Sequence, residues 1–279
     1  LNIMPSALTS ARSPIDPMQI ALYPHILLGM PHLTPFGLAR TWLMKELGHR
    51  HWLMLAKRLG MATADFRSPE GNEAYAAISA LKVNARLSAA KANDVLSIRS
   101  ELYSVSHARM ESVHHLAIAD VEIGTVTLQS TFVARAGKDN RSITRSLVRH
   151  FRAEGPVLES SLALEVAQLR EWGSRFDREE DNAVLREFSF RPSPFEEFNG
   201  AGLFYFAEFI ALVGRAFCNW EGNAAAAWLD QPLSLLFLGN IDPGEALWIG
   251  LHAGFSEVGV RCCTIKRSDG SIAARVRSG

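Results

Sequence analysis

Cysteine is scarce in this sequence of 279 residues, with Cys218, Cys262 and Cys263 the three present. No C-x-x-C pair exists, so a disulfide scaffold is excluded and a thiolate zinc site nearly so. The adjacent Cys262 and Cys263 are expected to face opposite sides of a strand. An excess of charge is also missing: Lys+Arg 29 cancels Asp+Glu 29, which makes bulk attraction to nucleic acid or an anionic membrane a poor reading. Nor does any uncharged apolar run reach the roughly 18 residues needed to cross a bilayer. The richest stretch, residues 200–217, still carries Glu208 and Arg215. Clustered metal ligands are absent as well. His49 and His51 diverge on a helix, and His114 and His115 point to opposite faces of a strand. Residues 1–19 hold Pro5, Pro14 and Pro17 without a basic start and apolar run, which reads as a flexible lead to a cytoplasmic protein.

What is present is core-forming material: 48% hydrophobic and 21% charged residues, enough for one large domain or two small ones. An apolar stretch at 22–28 leads into a Pro/Gly loop at 29–37. Leu38, Trp42, Leu43, Leu47, Trp52, Leu55 and Leu59 then recur at mainly helical spacing, with a break expected at Gly48. The period changes after a turn at 68–72. Strands are expected at 75–83 and 95–103 and as a pair within 114–135, with Gly124 a bulge. Helical spacing returns at 158–172, inside a connector spanning 137–184.

A second unit opens with the alternating strand 185–191, then a Pro/Gly loop. Residues 203–217 are apolar almost all round, as suits a helix in a domain interior. Strands at 232–239, 246–253, 257–266 and 271–277 follow. Both halves thus repeat one plan: loop, buried helix, antiparallel strands. A sheet curled round a single helix covers such a helix on both sides. The expected class is α+β, a double hot-dog fold, with a lead at 1–19, a first hot dog at 20–136, a helical linker at 137–184 and a second hot dog at 185–279.

Three segments carry a family resemblance. The stretch Phe195 Glu196 Glu197 Phe198 Asn199 Gly200 Ala201 Gly202 Leu203 Phe204 Tyr205 Phe206 Ala207 resembles the Asp-Phe-Asn-Gly-x-x-Leu-Leu-Tyr-Phe-Ala signature of the leinamycin-type bifunctional acyltransferase/decarboxylase family of polyketide biosynthesis. Glu197 stands where the signature has Asp, and Phe204 where it has Leu. Residues 236–242 are similar to the strand-and-Asn segment that follows the signature. Residues 28–37 and 47–52 are similar to the Gly-Met-Pro loop and the Leu-Gly-x-Arg-His-Trp helix of biosynthetic relatives. The resemblance implies an enzyme that takes a malonyl- or methylmalonyl-type group from coenzyme A, decarboxylates it and leaves the acyl chain on an acyl carrier protein. Coenzyme A or phosphopantetheine thioesters would be substrates, with no bound cofactor or metal. It also implies that a tyrosine of the first hot dog carries the acyl group, and Tyr75 is the match. Residues 76–81 lack the family's aromatic run, and residues 31–37 replace a Gly-His-Gly-like loop, which leaves substrate and reaction open.

Each candidate residue has a functional and a structural reading. A phenol with an ordinary pKa near 10 needs an activating neighbour to attack a thioester, and His32, on the loop expected to face Tyr75, is the candidate. Otherwise Tyr75 is a core aromatic and His32 a hydrogen-bonded loop residue. Gly37 and Gly200 are expected where the two buried helices begin, so backbone N–H groups there could hold an enolate or oxyanion. Alternatively they ease packing. Asn199 is placed as an N-cap or as a donor to the thioester or pantetheine arm. Asn240 serves turn chemistry or substrate contact. Arg141, Arg145, Arg149 and Arg152 form one cationic stripe if helical, either a docking face for an acidic carrier protein or a solvated face. A hot-dog dehydratase or thioesterase, with Glu46 and Glu208 the embedded helix carboxylates, stays open, as does a non-catalytic acyl- or carrier-binding module.

Overall fold

Helical and two-residue periods in the sequence become elements in the expected order in a computed structural model, which describes residues 16–106, 108–149, 156–176, 183–253 and 259–279. The first half runs α1 (Pro17–Ala21), β1 (His25–Leu27), β2 (Leu33–Thr34), β3 (Gly37–Leu38), α2 (Arg40–Arg58), β4 (Tyr75–Ala85), β5 (Val95–Ser106), β6 (Arg109–Ile118), β7 (Val121–Arg135) and β8 (Ile143–Arg145). After α3 (Ala163–Phe176) come β9 (Val184–Phe190), α4 (Phe206–Glu221), a 3-10 segment Gly222–Asp230, β10 (Leu233–Phe237), β11 (Leu247–His252), β12 (Arg261–Arg267) and β13 (Ile272–Ser278).

One sheet carries both halves, in the order β1-β5-β6-β7-β4-β10-β13-β12-β11-β9, with β8 added to β7. From the seam outward, β4-β7-β6-β5-β1 has the same succession as β10-β13-β12-β11-β9, and each short or edge strand precedes its buried helix. This is the hot-dog arrangement twice over. The halves join where β4 meets β10 antiparallel, with Leu81 opposite Leu235 and Val83 opposite Leu233. Leu43, Met44 and Leu47 of α2 and Phe209, Ile210, Val213 and Phe217 of α4 fall at three- and four-residue spacing. They share one buried cluster with Leu81, Val126, Leu235, Ile249, Ile265 and Val276 of the sheet.

Several expectations are corrected. Helix α2 runs unbroken through Gly48, because tertiary packing outweighs the roughly 1 kcal/mol helix cost of one glycine. The lead ends before residue 19: Asp16 accepts the N–H of Met18 and caps α1, and Met18 is buried beside Leu53 and Phe66; residues 1–15 lie outside those described. The connector is not only a linker. It begins by pairing β8 with β7, and α3 buries Val166, Leu169 and Trp172 against Ala80, Leu236 and Cys262 on the face of the sheet opposite the main core. Pairing of β8 also removes the arginine stripe. Arg141 sits in the 3-10 turn Asn140–Ser142 and Arg145 ends β8, while Arg149 follows in a turn, so they share no helical face. Arg152 lies outside the described residues.

Gly124 forms the expected bulge. The β6–β7 register shifts between Leu116 and Ala117, opposite Gly124. Its φ is +139°, and a Cβ there would lie 2.2 Å from the carbonyl oxygen of Asn84. Gly124→Ala therefore strains the backbone and forces β4 and β7 apart. The expected loss exceeds about 2 kcal/mol, read as a lower urea midpoint.

A polar chain crosses the interior of the first half. His51 bonds Ser112 through Nδ1 and Ser130 through Nε2, each at 2.7 Å, and Ser112 and Ser100 both bond His114 at 2.8 Å. Burial lowers His51 to about 4, and burial followed by repulsion from His51 holds His114 well below its ordinary value of 6.5. Unfolded histidines take up protons below 6.5 while these two stay neutral, so their contribution to stability is complete above 6.5 and is lost as pH falls toward 4. At about pH 5 the loss is on the order of 2 kcal/mol for His51, and His114 adds to it in the same direction. Urea unfolding at about pH 7.5 and pH 5 is expected to show it, and joint replacement of His51 and His114 by Gln to flatten the difference.

Candidate active site

A cleft of about 650 Å³ opens where the two halves meet. Gly48, His49 and Trp52 of α2 form one side, and Glu73 to Ser79 at the start of β4 form another. Asn199 to Ala201 and Leu203 to Phe206, ahead of and into α4, and Phe237 to Asn240 at the end of β10 form others. Phe66, Val133, Leu203, Phe204, Phe209 and Phe237 make much of its lining apolar. A shallower depression near α1 is lined by Glu46 and Arg50, whose charges are already engaged: Arg50 pairs with Glu46 and donates to the carbonyls of Leu22 and Tyr23.

Four of the expected residues, Tyr75, Asn199, Gly200 and Asn240, converge on the cleft, and so does Arg141. The Tyr75 hydroxyl donates to Glu73 Oε2 at 2.6 Å. Burial raises the Tyr75 pKa, and the bond to the Glu73 carboxylate raises it further. Arg67 beside them is tied to Asp65 at 2.8 Å. Gly200 faces open space, with nothing within 4 Å of where a Cβ would stand. Asn199 does not cap α4, whose N-cap is Tyr205, six residues later. Its Oδ1 instead accepts the N–H groups of Ala201 and Leu203, closing the turn that brings the chain into the cleft. Both ends of the Asn240 amide are engaged: its Oδ1 accepts from Phe204 N–H and Ile241 N–H, and its Nδ2 donates to Phe204 C=O. The Arg141 guanidinium pairs with Glu245 and Asp269.

His32 and Gly37 are not part of the cleft lining. His32 Nδ1 accepts the N–H of Gly29 at 2.8 Å, and its ring lies 4.6 Å from that of Trp42. It therefore does not serve Tyr75. Gly37, at φ +136°, is pressed against the backbone of Leu87 and Ser88, where a Cβ would come within 2.4 Å of the Leu87 carbonyl oxygen. Its smallness serves packing. Glu46 and Glu208 are likewise spent, on Arg50 and Lys45.

Among the lining residues that sequence reasoning did not single out for the site are Glu73, His49, Asn140 and Tyr205. Position two residues from Tyr75, on the same strand face, is the signal that could have found Glu73. His49 is exposed and is the histidine among the described lining residues. Asn140, 3% exposed, bonds the carbonyls of Gly202 and Ile241 through Nδ2 and accepts from Arg135, which also holds Ala201 C=O. Nothing in a turn sequence distinguishes that role. Tyr205 stands over Gly48: a Cβ on Gly48 would fall 2.7 Å from the Tyr205 hydroxyl and 2.5 Å from the Phe206 ring. Glycine at this position lets the start of α4 reach α2, and burial pushes the Tyr205 pKa up to about 12 with help from the Glu208 charge.

No protein-family model matches the sequence, and no curated protein does. Solved structures do. An acyl-ACP thioesterase from Bacteroides thetaiotaomicron superposes with a TM-score of 0.62 at 10% identity, covering 91% of this chain and 95% of its own. The 12:0-ACP thioesterase from Umbellularia californica gives 0.60 at 10% identity, with 91% of each chain covered. A putative oleoyl thioesterase from Lactobacillus plantarum gives 0.57, again at 10% identity, covering 91% of this chain and 93% of that one. At such identity the likeness is one of fold, and it extends the double hot-dog arrangement over nearly the whole chain.

Proposed function

We propose that the cleft takes an acyl chain held as a thioester on phosphopantetheine, of coenzyme A or of an acyl carrier protein, and that the protein transfers that acyl group. The observation that carries this reading is the Tyr75–Glu73 pair at an apolar cleft: a hydroxyl bonded at 2.6 Å to a carboxylate able to take its proton. A raised phenol pKa means that Tyr75 is not a free phenolate, so attack and proton transfer go together. Tyr75 Oη bonds the thioester carbon as Glu73 takes the phenolic proton. The C–S bond then breaks and the proton passes to the leaving thiolate. A second pantetheine thiol takes the acyl group in turn, its own proton returning to the tyrosine oxygen. With the malonyl- or methylmalonyl-type group implied by the sequence resemblance, carbon dioxide leaves, its bonding electrons form an enolate, and the α-carbon then gains a proton. Similarity in fold to an acyl-ACP thioesterase and a 12:0-ACP thioesterase supports a carrier-borne substrate. Among the described residues of the arginine run, Arg149, whose guanidinium and backbone N–H hold the 67–69 turn next to Glu73 and Tyr75, and Arg145, paired with the cleft residue Val133, are placed to meet an acidic carrier.

Hydrolysis is the second reading, favoured by the fold of the same neighbours and requiring only that water replace the accepting thiol. Incubation with malonyl-, methylmalonyl- and longer acyl-CoA plus holo carrier protein, followed by intact mass of both proteins, separates the outcomes. Acyl transfer appears as mass on the carrier, decarboxylation as a product lighter by one carbon dioxide, and hydrolysis as free acid. Tyr75→Phe is expected to lose the acyl-enzyme mass and to slow turnover about 100-fold or more. Unaltered turnover in that variant sinks the role of Tyr75. Failure of every thioester to change leaves a binding module only.

A further inference from the structure

The geometry points to Tyr205 as a second catalytic residue of this cleft, its hydroxyl donating a hydrogen bond to the thioester carbonyl oxygen and holding the negative charge that grows there. This rests on the thioester reaction proposed for Tyr75. Tyr205 lines the cleft, yet its hydroxyl has no hydrogen-bond partner among the described residues, unlike the hydroxyls of Tyr75 and Tyr103, which donate to Glu73 and Glu111. Its backbone is fixed on both sides: the N–H donates to the carbonyl of Glu197 at 2.9 Å, and the C=O accepts from Glu208 N–H at 2.9 Å. The ring packs edge-on against Phe206 at 4.9 Å. Gly48 leaves the space its hydroxyl occupies, and any larger residue there would displace it. The fold therefore delivers a rigid, unused donor into an apolar cleft.

Such a donor belongs to an oxyanion and not to a nucleophile. The carboxylate whose charge acts on it, Glu208, is 5% exposed and held by Lys45 at 2.6 Å. No hydrogen bond links that carboxylate to the Tyr205 hydroxyl, so the phenol keeps its proton where Tyr75 can lose one to Glu73. In surroundings lined by Phe206, Phe209 and Phe237, a fixed O–H dipole is worth more to a developing charge than it would be in water, because no solvent has to reorganise.

Tyr205→Phe is expected to lower kcat about 100-fold, with KM changed by less than about threefold. In single turnover the acyl-enzyme on Tyr75 still forms, more slowly. Circular dichroism and the melting temperature establish that the variant is folded. If it is not, 3-fluorotyrosine at position 205 keeps the shape and makes the hydroxyl a stronger donor; an acylation rate that responds supports the role, and a flat rate overturns it. A full kcat in a folded Tyr205→Phe protein, or a change confined to KM, also overturns the inference while leaving the thioester reading intact, provided that Tyr75→Phe still abolishes the acyl-enzyme. If wild type acts on none of the thioesters, both fall together.

Discussion

Close approach of α4 to α2 at Gly48 is the contact on which the site depends. A side chain there would overlap the Phe206 ring and the Tyr205 hydroxyl, so the helix gives up some intrinsic propensity to bring the two halves together. The β4–β10 seam fixes the same relation from the other side, since its register sets Leu81 against Leu235 and merges two hot-dog cores into one. Alone, either half would expose the edge of that strand and the leucines behind it. The cleft has walls from α2, β4, α4 and β10, and therefore exists only because both halves are joined.

The internal repeat produces a matching position at the other end, and it is closed. Gly48 and Gly214 each lie eight residues after the first residue of their helix. Against Gly48 stand Tyr205 and Phe206; against Gly214 stands Trp228, whose ring would be 3.0 Å from a Cβ. Arg40, the first residue of α2, lies 4.1 Å over the Trp228 ring and donates to the carbonyls of Trp228, Leu229 and Gln231. Burial brings its pKa down to about 9, against the pull of Asp230. A buried guanidinium is tolerated because those carbonyls terminate the 3-10 segment and need donors. The 3-10 segment packs against α4 at that end, whereas around Gly48 the chain leaves the cleft open.

Periodicity made most of this fold legible. The α4 stretch, apolar all round, could only be interior, and alternation located β9 to β13 to within a few residues. Non-local forces account for the differences. Nothing local says that β8 will pair with β7 and straighten a run of arginines spaced for a helix, or that Gly48 will be held in α2 by contact with α4. The site was legible in part. Tyr75, Asn199, Gly200 and Asn240 do meet, but the two asparagines are consumed to different degrees by backbone groups, as residues with short amide side chains often are. Asn140 and Tyr205 act across 60 or more residues of sequence, as the Asn140–Gly202 bond and the Gly48–Tyr205 contact show, and no local pattern encodes that.

Two of the four tyrosines in the chain line the cleft, and their surroundings divide them. Both are pushed toward the protonated form, burial being the leading cause in each. Tyr75 has a carboxylate at 2.6 Å that can accept its proton; Tyr205 has Glu208 acting from a distance, with that charge held by Lys45. A buried phenol with no carboxylate bonded to it keeps its proton and stays available as a donor, whereas one bonded to a carboxylate becomes a better nucleophile as its proton is drawn away. Chemistry that must both attack a carbonyl carbon and steady its oxygen needs one of each. In the proposed reaction the repeat provides them from opposite halves, Tyr75 from the first strand after α2 and Tyr205 from the cap of α4, so the proposed chemistry depends on the same α2–α4 contact that joins the two halves.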